Sequence, residues 1–205
     1  QYAEAREAAE RAVELAPEVA DGWTMLGTVL AGALEPEKAR DAFAKALQLK
    51  PLQPRVLLSM GHVEKTIGDS TASEIAYDEA FRIDPSLGEA MWSKADLKTY
   101  RFRPEEIEAM NRQLGKDISN TSDVAAFHFA LGKAYEDDQA YELSFSHYQS
   151  GNRIKAELEP FPMEEFKSRN KQIRSAFSSP PESVKGVHKS PTPIFILGMP
   201  RAGST

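Results

Sequence analysis

The 205-residue sequence predicts an all-α fold, a superhelix of antiparallel helix pairs stacked one on the next. Three observations predict it. Pro17, Pro51 and Pro85 recur at intervals of 34 residues and close the near-parallel runs RAVELAP, KALQLKP and EAFRIDP. Small residues keep the same register, with Ala12, Ala46 and Ala80 each five positions before a proline. At the other end of the unit, Trp23, Leu26 and Gly27 are answered one period later by Leu57, Met60 and Gly61. A single helix pair cannot bury its apolar stripe, so units of this length must stack.

Taken in order, the pattern places helices at about 2–15, 20–32, 36–49, 54–67, 71–83, 88–100 and 104–115. Pro36 opens the third helix, where its missing N–H costs nothing. Gly27 and Gly61 are expected where a neighbouring helix comes close, and Phe43 and Tyr77 in the wider gap between units. The third unit is degraded: Trp92 stands one position late, Ala95 replaces the glycine and Asn111 takes the aromatic slot. A fourth unit returns with Leu131, Gly132 and Tyr135, and Tyr148 follows Gly132 by sixteen residues, as Phe43 follows Gly27. Its helices fall at about 122–136 and 140–157, with Asn120, Thr121 and Ser122 offering the N-cap. A last helix at about 162–176 carries Phe166, Ile173 and Phe177, which suit a cap on the array.

This register matches the tetratricopeptide repeat, two antiparallel helices per 34 residues. The expected plan is a repeat domain over residues 1–177, a Ser- and Pro-rich linker over 178–192, and a separate beginning at 193–205. Helix A of each unit should line the inner face. There the pattern gathers Arg55, His62, Lys65, Trp92, Asp96, Tyr100, Phe129 and Lys133 as partner-binding candidates, with Asp21, Thr24, Thr28, Leu58, Glu89 and Glu136 beside them. A peptide, protein or glycan in that groove and packing against a downstream domain both fit.

Composition narrows the classes. Hydrophobic residues make up 41% and charged residues 27%, as in a soluble folded protein. No run of 18 apolar residues exists to span a membrane. The absence of cysteine suits a cytoplasmic location. Residues 1–159 carry 18 Lys/Arg against 28 Asp/Glu, which argues against nucleic acid, whereas residues 160–205 carry 7 against 3. None of His62, His128, His147 and His188 has a histidine or cysteine at ligand spacing, so no metal is expected. Adjacent acidic pairs such as Glu105/Glu106 and Asp137/Asp138 point apart on a helix and read as surface charge, and no catalytic residue stands out.

The final residues read differently. The apolar run PIFIL, from Pro193 to Leu197, leads into Gly198, Met199, Pro200, Arg201, Ala202, Gly203, Ser204 and Thr205. A strand followed by a glycine-bounded loop ending in hydroxyls is a local design for holding a phosphate. A nucleotide P-loop needs lysine after the second glycine, where this chain has Ser204, and the cation is Arg201 instead.

PIFILGMPRAGST resembles the strand and loop that open the sulfotransferase domain, commonly written with R-S-G-T-T at its end. Ala202 departs from the usual serine and Ser204 from the usual threonine. Bacterial proteins with tetratricopeptide repeats ahead of such a domain form a known group, and the chain is similar to that arrangement over its whole length. The resemblance implies the truncated start of an α/β P-loop sulfotransferase domain after the repeats. It also implies 3′-phosphoadenylyl sulfate (PAPS) as co-substrate, held by Gly198, Pro200, Arg201, Ala202, Gly203, Ser204 and Thr205. The parent protein is then a sulfotransferase acting on an unidentified hydroxyl acceptor, with its downstream domain a partner of the repeats. The isolated 205 residues would be inactive. The alternative is a non-enzymatic repeat module for protein–protein interaction.

Overall fold

Ten helices account for the regular structure among the described residues. The structure is a computed structural model and describes residues 2–176 apart from 98 and 117, together with residue 178. The helices are α1 (Tyr2–Leu15), α2 (Ala20–Gly32), α3 (Pro36–Leu49), α4 (Pro54–Ile67), α5 (Ser70–Ile83), α6 (Gly88–Ala95), α7 (Pro104–Leu114), α8 (Thr121–Asp137), α9 (Tyr141–Leu158) and α10 (Met163–Ala176). The chain divides into two units, Gln1–Phe161 and Pro162–Thr205. In the second unit, α10 buries none of its side chains.

In the first unit, α2 packs on α3, α4 on α5 and α8 on α9, while α3–α4 and α5–α6 contacts join successive pairs. Proline occupies the first turn of α3, α4 and α7, where the backbone N–H has no helical partner. Asp69 caps α5 by accepting from the Ala72 N–H at 2.9 Å, and Asn120 caps α8 by accepting from Ser122 N–H at 3.1 Å. Leu34, Gly68 and Gln139, each in the turn between two paired helices, have positive φ of 61°, 99° and 60°.

Within each regular pair an aromatic ring of the second helix lies on a glycine of the first. A Cβ on Gly27 would stand 2.7 Å from the Phe43 ring and one on Gly132 2.8 Å from the Tyr148 ring; at Gly61 the Tyr77 ring is closer still. The rings thus lie on their own pair's glycine and, as expected, also reach the next unit, Phe43 sharing a buried cluster with Val56 and Val63 and Tyr77 one with Leu87 and Ala90. Phe43 and Tyr77 are almost wholly buried. The Ser73 and Ser144 hydroxyls lock the same contact by donating to the Gly61 and Gly132 carbonyls at 2.9 and 2.8 Å. The third unit loses glycine and ring together, to Ala95 and Asn111. Asn111 instead donates to the Tyr135 hydroxyl at 3.1 Å.

That unit departs most from expectation. Helix α6 ends at Ala95 rather than near residue 100. The reason lies in Lys94, whose side chain is fully buried and whose ammonium meets Asp78 at 2.5 Å and Glu106 at 2.7 Å. The chain turns after Ala95 so that Tyr100 comes back over it, with the ammonium 4.0 Å from the ring centroid and the phenol donating to Glu106 at 2.6 Å. Burial opposes the Glu106 charge, but hydrogen bonds from Arg103, Lys94 and Tyr100 outweigh it and hold the carboxyl at about 2. Beside this cluster Met91, Phe102, Met110 and Phe127 form an apolar core linking α6, α7 and α8.

No strand is present among the described residues. The expected α/β addition to the fold is corrected accordingly: the described residues form helices only, stacked in pairs in the first unit. The residues 193–205 that carried that expectation lie outside the described residues, as does Phe177.

Two stability predictions follow from these contacts. Gly61→Ala drives a methyl into the Tyr77 ring and is expected to cost roughly 1–3 kcal/mol. Trimming the ring as well, in Gly61→Ala/Tyr77→Leu, should cost less than the two single changes added together. Urea melts of the four proteins measure this, and strict additivity would show that the two side chains do not meet. Lys94→Met leaves two carboxylates facing a buried site and is expected to cost about 3 kcal/mol at neutral pH. A loss below about 1 kcal/mol would place the cluster with ordinary surface pairs.

Candidate partner-binding groove

Helix A side chains from successive units face one another as the stacking requires, and the structure engages the predicted residues in different ways. Arg55, in the first turn of α4, is exposed and makes no ion pair among the described residues. Lys65 on α4 reaches Asp96, at the end of α6, at 2.5 Å. His62 sits 3.3 Å from the Tyr77 hydroxyl through Nδ1, with the rings edge to face at 5.5 Å. It lines a cleft of about 200 Å³ with Thr28, Ala31, Ser59 and Thr66. Lys133 pairs with Asp137 one turn on along α8. Asp137 Oδ2 is buried without a hydrogen-bond partner among the described residues. Tyr100 is spent on the Lys94–Glu106 cluster.

Trp92 and Phe129 do come together. Their ring centroids lie 5.4 Å apart at a tilt of 46°, one ring from α6 and the other from α8. Phe129 is braced from behind by α9, where a Cβ on Gly151 would stand 2.9 Å from its ring. Trp92 remains 36% exposed. The two rings wall a cleft of about 250 Å³, completed by Glu89, Asp123, Ala126 and Lys155.

The buried Asp123 holds this cleft open to α6. Its Oδ1 accepts from the Glu89 N–H at 3.1 Å, so a carboxylate on α8 caps the N-terminus of α6. Its Oδ2 accepts from the Asn120 amide at 2.5 Å. Gly88 permits the approach, since a Cβ there would collide with the Asp123 carbonyl. Sequence reasoning missed this cap, because its partners are 34 residues apart; the repeat period itself was the available signal.

A second missed pair is His128 and His147, nineteen residues apart on α8 and α9, with Nδ1 atoms 3.1 Å apart. Tyr135 stacks on His147 at 5.4 Å. Burial lowers the pKa of both histidines, and for His128 the His147 and Arg153 charges lower it further. Among the described residues no group of three or more His, Asp or Glu gathers as a metal site. No helix there is long and apolar enough to cross a membrane.

Two profiles of the tetratricopeptide repeat match the chain, over residues 1–54 and 54–87. An uncharacterized protein of Aquifex aeolicus (strain VF5) is 26% identical over 172 residues, a match that covers 82% of this chain. The chain spans only 22% of the length of that curated relative. Among solved structures, a crystal structure of MamA superposes with a TM-score of 0.60 at 15% identity, covering 78% of this chain and 92% of that one. A second MamA structure gives 0.58 at 15% identity over 78% and 87%, and the MamA RS-1 ArsTM double mutant 0.57 at 16% over 78% and 89%. These structures share the fold.

These findings correct the sulfotransferase expectation. The matches are to tetratricopeptide repeats and MamA, and the described fold is helical throughout. A phosphosulfate loop works only when a strand in a sheet and a following helix fix its amides, and no sheet exists among the described residues. The enzyme assignment, PAPS as co-substrate and a downstream sulfotransferase domain as partner go with it. Gly198, Pro200, Arg201, Ala202, Gly203, Ser204 and Thr205 lie outside the described residues.

The histidine pair sets a pH prediction. One imidazole must donate through Nδ1 and the other accept, so the accepting ring is neutral and the pair cannot carry two charges while the bond is kept. Because their folded pKa values are lowered, the unfolded chain binds more protons as pH falls below the ordinary histidine value of about 6.5. Stability is therefore full above that value and declines beneath it. His62, also lowered mainly by burial, adds in the same direction. Glu106 contributes only further down, from 4.5 toward about 2. The melting temperature is expected to drop by a few degrees between about pH 7.5 and about pH 5.5, and less in His147→Gln. An unchanged or rising melting temperature over that interval contradicts the arrangement.

Proposed function

We propose that the chain is a non-enzymatic tetratricopeptide scaffold that binds a segment of another protein along its helix A groove. The observation that supports this most is the half-open aromatic cleft at Trp92 and Phe129. Large aromatic side chains presented to solvent at a concave site are costly for solubility and suited to anchoring a partner. Arg55, His62, Lys65, Asp96 and Lys133 supply a polar rim around it, and Tyr100 positions the end of α6 from below. The stacked helix pairs present these residues at fixed spacings, as repeat proteins do for extended ligands. A cytoplasmic location belongs to this reading, and fractionation of the tagged parent protein checks it: recovery outside the cytoplasm would remove it.

A photo-crosslinking residue at position 92 tests the groove against the opposite face, probed from position 48 on α3. Adducts with another protein are expected from position 92 and not from position 48. Equal labelling from both, or labelling from neither, would remove the groove as the binding surface.

A further inference from the structure

Resting on that groove reading, we propose that the cleft between α6 and α8 receives a lysine or arginine side chain of the partner polypeptide. Trp92 and Phe129 form the walls and Glu89 supplies the opposite charge. Three features carry this. The two rings meet at 46° rather than in a parallel stack, both line the cleft, and Trp92 keeps part of its surface exposed. A cation over the face of an indole is attracted by the ring quadrupole, and tryptophan is the best of the aromatic side chains for this. The apolar stem of lysine or arginine suits the apolar walls while its head stays near solvent.

Charge at the cleft points the same way. Glu89 is exposed, and its carboxylate makes no hydrogen bond or ion pair among the described residues. Asp123 adds a second negative charge, its oxygens already engaged by the Glu89 N–H and Asn120. Lys155 is the cation of the lining, and it is neutralised by Glu159 at 2.7 Å. Further along the groove Asp96 is already matched by Lys65, whereas Glu89, at the cleft itself, has no ion pair among the described residues. Arg55 stands at the equivalent position one repeat earlier, exposed and unpaired among the described residues, and favours an acidic residue of the partner on that side of the bound cation. Finally, the Trp92 indole N–H makes no hydrogen bond among the described residues and can donate to a partner carbonyl.

The test uses the 205-residue chain and fluorescein-labelled nine-residue peptides of glycine, serine and leucine carrying three arginines, three glutamates or no charge. Fluorescence anisotropy is expected to show binding of the arginine peptide at least tenfold tighter than of the other two. Glu89→Gln, a conservative change at the surface, should weaken it three- to tenfold, and Trp92→Leu tenfold or more, with the helical circular dichroism of both variants retained. Raising salt should weaken it further. Binding of the arginine peptide that neither substitution alters would place it elsewhere and overturn the proposal. Preference for the glutamate or neutral peptide, lost in Trp92→Leu, would overturn the partner chemistry while leaving the groove standing. No binding of any peptide would also overturn it, and crosslinking from position 92 then decides the groove on its own.

Discussion

Everything in the repeat stack depends on how closely two paired helices can approach, and a ring lying on a glycine sets that distance. Phe43 on Gly27, Tyr77 on Gly61 and Tyr148 on Gly132 repeat one contact three times. The absence of a Cβ lets the ring lie against the partner helix, and the buried rings of Phe43 and Tyr77 then exclude water from their seams. The Ser73 and Ser144 hydroxyls, bonded to the carbonyl of the same glycine, fix the rotation of one helix about the other. With spacing and rotation set, the outward face of each first helix is determined, and so is the groove.

The third unit shows what happens when that contact is missing. Its glycine and ring were replaced together, and the space between α6 and α7 is governed by charge instead. A buried ammonium held by two carboxylates and a phenol is directional, where a ring on a glycine is not. It shortens α6 and turns the chain. The same departure moves Trp92 out of the core slot and toward Phe129, so the irregular unit is also the one that builds the cleft.

Most of the helical layout was legible because each signal is local or strictly periodic. Pro36 marks a helix start, the prolines at 17, 51 and 85 set the period, and the glycine–ring spacing of sixteen marks each regular pair. What escaped was set by side chains from different elements. Nothing near Lys94 announces that Asp78 and Glu106 converge on it, so the early end of α6 could not be read from its own residues. His128 and His147 have no ligand spacing in sequence and meet only because α8 and α9 pack face to face. The groove was half legible: Trp92 and Phe129 were placed on one face, while the Asp123 cap that orients them was not. The sulfotransferase resemblance rested on thirteen residues outside the described ones, whereas the matches found are to tetratricopeptide repeats and MamA.

The cap on α6 also bears on the order of assembly. Eight residues are too few for a helix to persist alone in water. The first turn of α6 is held by Asp123 of α8, and its last by charges from α5 and α7. Most solenoid units are completed by what precedes them in the chain. This one waits for segments made later, so a ribosome must deliver the chain through α8 before α6 has both its ends. The cleft at Trp92, walled by α6 and α8 together, is thus absent from a nascent chain until the following unit has folded.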